Sequence, residues 1–408
     1  MIPWLQSLRV PISALCSAHT FSYSLAITAL ATENNFGQLG LGDTNPRFAP
    51  AKINALSKET IVRAATGKAH SIFVTASGAV FACGCNKFGA VGSTPPKKHE
   101  SAPKPVPVPG VTNVVRVAAG IDFSLLLTSS GAVYSFGWSE FGQLGHGTDG
   151  SYNKAEGTIK ITYEAERTPL RIAGLSNMVQ IACGPHHCCA LQDDGTAYTW
   201  GCGGYGRLGH NSQDDIYSPK ALPNFAFRQI VCGNAWCMGV GWRVYAGQAG
   251  KPSGAGMLHK WGRMMPNKDS DMYPKPEYDL QGWDIGPMQC GQTHCFLGAG
   301  GGDEVSVIAW GSGTGHGECG FGDGGAKSSA KPKKVDSLEG VHLGAVAAGM
   351  AHTLALVEGG PAVEGLPAFT PAVDPDFAAE AASNSSNGGA KKKKAAGQGG
   401  GGSKKSKK

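Results

Sequence analysis

The sequence predicts an all-β protein, a seven-bladed β-propeller. Three observations predict it: a recurring F-G-Q-L-G motif, a second phased Gly anchor, and hairpin turns between the two. The motif stands at Phe36–Gly40 and Phe141–Gly145, with a close variant at Tyr205–Gly209 and decayed copies at Phe88–Gly92 and Gly317–Gly320. A period of roughly 50 to 65 residues is the mark of a repeat architecture, and it overrides any local reading.

The anchor is a Gly that follows a short apolar run and precedes a His and a small hydroxyl or thiol. Its members are Gly67, Gly120, Gly184, Gly233, Gly291 and Gly349, and Ser17 within Cys16-Ser17-Ala18-His19 is a divergent first copy, seven in all. Most anchors lead into an apolar strand, an S/D-G turn and a strand ending in an aromatic residue and Gly. Ser77-Gly78, Ser130-Gly131 and Asp194-Gly195 are such turns. They signal hairpins because Gly supplies the positive φ of a tight turn. Trp200-Gly201, Trp261-Gly262 and Trp310-Gly311 close the second strand of their hairpins. Each repeat reads as a small antiparallel sheet that cannot bury its faces alone and must stack radially.

The domain organisation follows: a short segment 1–14, the propeller at 15–358 and a tail at 359–408. The 61 Gly are in phase with the repeat, so they read as turn residues rather than low complexity. Net charge is +6, of which the last 48 residues carry +4, so the propeller itself is near neutral. No apolar run reaches the ~18 residues of a spanning helix. Met1–Val10 lacks the charged and apolar regions of a secretory signal.

The twelve Cys include two phase-locked sets: Cys183, Cys232 and Cys290 before an anchor, and Cys188, Cys237 and Cys295 after it. Positions repeated in different blades are expected to lie apart around a ring, so these read as small buried thiols and no metal site is expected. The anchor residues His70, His187, His294 and His352 are expected to hydrogen-bond a neighbouring strand, since Phe123 and Trp236 fill the same slot. No phosphate-binding loop, H-E-x-x-H or nucleophile elbow is present. The reading is therefore of a protein without covalent chemistry, with no cofactor and no small-molecule substrate.

The phased motifs, A/C-G-x-x-H-S/T, then W-G, then G-x-L-G, resemble the regulator of chromosome condensation repeat family over roughly Cys16 to Val357. Gly203–His210, Met272–Lys275 with Gly282-Trp283, Trp310-Gly311 through Ser329 and Leu366–Pro371 resemble one branch of it, the second paralogue. The resemblance implies a seven-bladed propeller, eukaryotic origin, and partners among small GTPases and chromatin. The founding member is an exchange factor for the GTPase Ran. The branch implies a mitotic regulator at centromeres and the spindle midzone that engages Rac- and Ral-type GTPases. A nuclear and chromosomal location with a cytoskeletal or cytoplasmic pool is the matching expectation. A non-exchanging scaffold, for example in organelle RNA processing or trafficking, is the alternative.

Departures from the repeat are where a site is expected. Spacing from Gly120 to Gly184 is 64 residues, against 49 for the next pair. The excess lies in Gly147–Pro169 and reads as a protruding hairpin, because strand formers there are flanked by Gly. It corresponds in place to the wedge of the exchange factor, so Lys160, Tyr163, Glu164 and Glu166 are the candidate partner-binding residues. Met264–Tyr273 replaces the G-x-L-G motif and predicts an irregular outer edge for that blade, and Gly298–Glu304 is a Gly-rich turn. The tail, with Lys391, Lys392, Lys393, Lys394, Lys404, Lys405, Lys407 and Lys408, is expected to be disordered and to serve nuclear import or chromatin or nucleosome contact. The first repeat is expected to lack its turn and third strand, because few residues separate Thr28 from Asn34. One blade or the closure seam is thus expected to be incomplete.

Overall fold

The computed structural model describes residues 28–31, 34–93, 101–153, 161–243, 256–265, 269–301, 304–312, 314–315, 317–322, 327–349, 353–357 and 363. The segment 1–14, the Ser17 anchor, Lys160, His352 and the lysines of the tail lie outside these residues.

Each full repeat folds into a four-stranded antiparallel meander. Blade 1 comprises Ile61–Thr66, His70–Thr75, Val80–Cys85 and Ser101–Pro107. Blade 2 comprises Val114–Ala119, Phe123–Thr128, Val133–Gly137 and Glu166–Arg171. Blade 3 comprises Met178–Cys183, His187–Gln192, Ala197–Gly201 and Ile216–Ala221. Blade 4 comprises Phe225–Cys232, Trp236–Arg243, Met257–Gly262 and Asp271–Pro276. Blade 5 comprises Asp284–Cys290, His294–Gly301, Glu304–Gly311 and Ser329–Lys334. Two half-blades flank them: Thr28–Ala31 with Arg47–Lys52, and Leu343–Ala348 with Thr353–Val357. The described residues thus hold five complete blades and two half-blades.

Two expectations are corrected here. Thr28–Ala31 supplies the third strand that the first repeat was expected to lack. It pairs Thr28 with Lys52, Ala29 with Ala51 and, after a register shift, Ala31 with Arg47. Blade 1 repeats that pattern in Phe81–Pro107, Ala82–Val106 and Gly84–Ala102. The strand is short, yet the Asn that follows it still ties the next turn. Asn34 donates to the carbonyls of Asp43 and Asn45 and accepts from the Leu39 N–H. Asn86 likewise donates to Ser93 O and accepts from the Val91 N–H.

The outer strand of blade 4 is also regular. Despite the lost motif, Asp271–Pro276 pairs with Met257–Gly262 with the same kind of shift. The Gly-rich stretch beginning at Gly298 extends the strands of a long hairpin in blade 5, with Gly301 opposite Glu304.

The motif works between blades. In F-G-Q-L-G, a Cβ added to Gly142 (φ +71°) would come within 2.1 Å of Tyr217 on the outer strand of the next blade. The second Gly, Gly145, abuts Trp200 at the end of the next blade's third strand, at 3.0 Å from where its Cβ would sit. The Trp200 indole N–H donates to the carbonyl of Gln143 at 2.9 Å. Trp200, Trp261 and Trp310 are all fully buried, and burying a Trp at ~25 cal/mol per Å² is worth several kcal/mol. The motif and the W-G dipeptide, distant in sequence, are therefore two halves of one contact. The core lies between blades, in apolar clusters that each draw residues from adjacent sheets, such as Leu125, Leu127 and Leu144 with Cys188 and Trp200.

The anchor closes a second set of contacts. His70 Nε2 lies 2.9 Å from Ser124 Oγ, His187 Nε2 lies 3.1 Å from Cys237 Sγ, and His294 Nε2 lies 2.7 Å from Thr353 Oγ1. Each partner belongs to the following sheet, as the repeated His predicts. Each partner in turn donates to the carbonyl of the third residue of the preceding motif. Ser124 reaches Ala90, Cys237 reaches Arg207 and Thr353 reaches Glu318.

Candidate partner-binding hairpin

The excess residues of blade 2 do form a hairpin. Ser151–Asn153 pairs antiparallel with Ile161–Tyr163, with Ser151 opposite Tyr163 and Asn153 opposite Ile161. It leaves the blade between the third strand and the outer strand Glu166–Arg171.

Its base is fixed by a residue that the sequence analysis did not single out. Ser139 occupies the position of Asn34 and Asn86 in the other copies. Its Oγ is buried 2.8 Å from the carbonyl oxygens of both Asp149 and Glu164, so one hydroxyl proton bridges the two stems. Glu164 N–H donates to Gly150 O at 2.8 Å. On the exit side the Arg167 guanidinium donates to the carbonyls of Asn86 and Lys87 in blade 1. The stems are thus held by blades 1 and 2 together.

Of the four candidate residues, three are described, and they do not converge. Tyr163 is half-buried, its ring edge-on to Trp138 with centroids 5.8 Å apart. Trp138 in turn meets Phe88 of blade 1 at 4.3 Å. Glu164 is exposed on the stem. Glu166 turns inward along its own strand, accepting from the N–H and hydroxyl of Thr168. What the structure brings together is an aromatic strip, Phe88–Trp138–Tyr163, rather than a set of charges. Ile161 (61% exposed) shares the face of Tyr163 and extends it, while Tyr152 (49% exposed), opposite Thr162, stands on the other face of the hairpin. Exposed apolar side chains of this kind, grouped on a projection, mark a contact surface for another protein.

Polar groups frame the strip. The Trp138 indole N–H donates to Glu140 Oε2 at 3.1 Å, which fixes the ring, and the Trp138 backbone N–H donates to Asp122 O. Burial pushes the Asp122 carboxyl up from its ordinary value, with Lys68 and Lys87 opposing. Lys87 Nζ sits 5.1 Å from the Phe88 ring centre. Phe88, Trp138 and Tyr163 come from three separate stretches of sequence. Only Tyr163 lies in the insertion, so repeat departure alone cannot find the other two.

Beside the phase-locked thiols, a Cys outside both sets makes a cluster that the repeat does not announce. Cys232 and Cys237 of blade 4 stand opposite each other, their Sγ atoms 3.8 Å apart. Cys189 of blade 3 joins them at 3.3 Å from Cys232 and 3.7 Å from Cys237. His187, Cys232 and Cys237 present ligand atoms all within 4.8 Å of one another. His187 reaches Cys237 because the anchor residue contacts the following blade, as the repeated His predicts. Among the described residues no helix is long and apolar enough to cross a membrane.

Stacked four-stranded meanders with staples between neighbouring sheets define a repeat protein of the β-propeller class. A family model for the RCC1-like domain matches residues 28–364, and the chain belongs to that family. Mouse protein RCC2 is 36% identical over 374 residues, covering 85% of this chain and 67% of that protein. The human WBSCR16 structure superposes with a TM-score of 0.63 at 23% identity, over 81% of this chain and 80% of that one. Prp20p from Saccharomyces cerevisiae superposes with a TM-score of 0.50 at 18% identity, over 90% and 97%. Both structures bear on the fold alone.

Proposed function

We propose that this chain is a propeller that regulates a small GTPase by docking it on the hairpin of blade 2. The observation that carries this reading is the Phe88–Trp138–Tyr163 strip, set on stems braced by two blades and continued on the same face by exposed Ile161. The structural relative Prp20p, described by its binding to Gsp1p and histones, supports a GTPase and chromatin as the partners to test. Regulation of this kind needs no covalent step. A hairpin that binds the nucleotide-free GTPase better than the loaded one shifts the equilibrium towards release by that difference in affinity. Lys160 lies between the two stems in sequence, outside the described residues, and stays a candidate for substitution in this reading.

The mitotic and chromosomal part of the reading rests on the lysines at 391–394, 404, 405, 407 and 408, a basic run suited to phosphate contact or nuclear import. The test is a release assay with labelled nucleotide on Ran-, Rac- and Ral-type GTPases. Acceleration of one of them supports exchange. Binding without acceleration would assign the chain to scaffolding. Neither binding nor release on any of the three would sink the proposal.

A further inference from the structure

We propose that Cys189, Cys232, Cys237 and His187 form a buried zinc site that rivets blade 3 to blade 4.

The geometry is the first argument. Thiolates sharing a tetrahedral zinc at ~2.3 Å stand about 3.8 Å apart. The three Sγ–Sγ distances here are 3.3, 3.7 and 3.8 Å. His187 Nε2, at 3.1 Å from Cys237 Sγ, groups with Cys232 and Cys237, all within 4.8 Å, and Cys189 joins the set through its contacts with those two thiols. All four side chains are fully or almost fully buried, where zinc sites of the structural kind lie.

The sequence is the second argument. Cys189 stands where the other repeats carry Ile72, Leu125, Met238 and Phe296. A core position that is elsewhere large and apolar holds a third thiol only beside the Cys232–Cys237 pair.

Charge is the third argument. Three thiolates around a divalent ion leave one excess negative charge, which is costly in a buried place. Arg207 is itself buried, its guanidinium held by the carbonyls of Gly204 and Asn234. Arg207 thus balances the site. Loading releases the three thiol protons to solvent and leaves the imidazole proton on Nδ1, so the ion enters as the two blades come together.

The test uses the full chain, produced in medium containing Zn²⁺ or Co²⁺ and purified under reducing conditions. Wild type is expected to hold one ion per chain. The Co²⁺ form is expected to show the thiolate charge-transfer absorption and visible bands of a tetrahedral site. X-ray absorption on the zinc form should count three sulfurs and one nitrogen, a reading that needs no variant. Cys189→Ala and Cys232→Ala should lower the ion content at least tenfold, while Cys290→Ala in blade 5 should keep it. A folded wild-type chain without ion and with its thiols free overturns the proposal. So does a Cys189–Cys232 disulfide, or ion content unchanged in the Cys189→Ala and Cys232→Ala chains.

Discussion

His70 Nε2 and Ser124 Oγ sit 2.9 Å apart across the junction of blades 1 and 2. Ser124 spends its single hydroxyl proton on Ala90 O at 3.0 Å, so the imidazole must be the donor to Ser124 and is the neutral Nε2–H form. Ser124→Ala strands two buried groups and is expected to cost roughly 1–3 kcal/mol in urea unfolding. In the double variant His70→Phe, Ser124→Ala the loss should be smaller than the sum of the singles, because Phe already fills this slot at Phe123. Strict additivity would contradict the relay.

The same burial sets a pH dependence. Burial lowers the His70 pKa from 6.5 to about 4, and it holds His187 well below its ordinary value. Above pH ~6.5 both forms of the chain leave these rings neutral and stability is full. As pH falls from 6.5 towards 4 the unfolded chain binds protons that the folded chain refuses, so stability declines through that window. His70 alone accounts for roughly 3 kcal/mol by pH 4. His70→Phe should flatten the decline in a series of unfolding curves, and an unchanged slope would remove the ring from the account.

Gly142 and Gly174 separate two roles of positive φ. Both lie in the left-handed region, at +71° and +78°. A Cβ on Gly142 meets Tyr217, whereas one on Gly174 meets nothing within 4 Å. Gly174→Ala should cost only the conformational strain, about 1 kcal/mol. Gly142→Ala should cost at least ~2 kcal/mol more, since it separates two blades. Equal losses would mean that the motif is a local turn and not a staple.

These contacts show what the sequence makes legible. The His slots, W-G ends and hairpin turns are read directly, because each recurs in phase even where another residue fills it, as Phe123 and Trp236 fill the His slot. The hairpin at Ser151–Tyr163 is read from the surplus spacing. What joins blade to blade is not read so easily. Ser139 looks like a decayed Asn until its hydroxyl is seen between Asp149 and Glu164. Phe88 and Trp138 are ordinary repeat residues, and they become a surface only when Tyr163 is placed beside them. Cys189 reads as one half of a Cys-Cys pair, but adjacent strand residues face opposite ways. Cys188 therefore approaches Cys183 while Cys189 approaches Cys232. The third strand at Thr28–Ala31 was missed because its W-G end is absent, although its pairing register is that of the other blades.

The most direct test of the central claim is an affinity measurement on the hairpin. Titrations of a small GTPase, nucleotide-free and loaded, are compared between wild type and the Ile161→Asp variant, whose side chain shares the face of Tyr163. Ile161 is exposed, so the variant should unfold at the wild-type midpoint. The account predicts that wild type prefers the nucleotide-free form and that the variant loses at least tenfold in affinity for it, about 1.4 kcal/mol, from a charge set in an apolar contact. Undiminished binding by a folded variant would contradict it and place the docking surface elsewhere on the propeller.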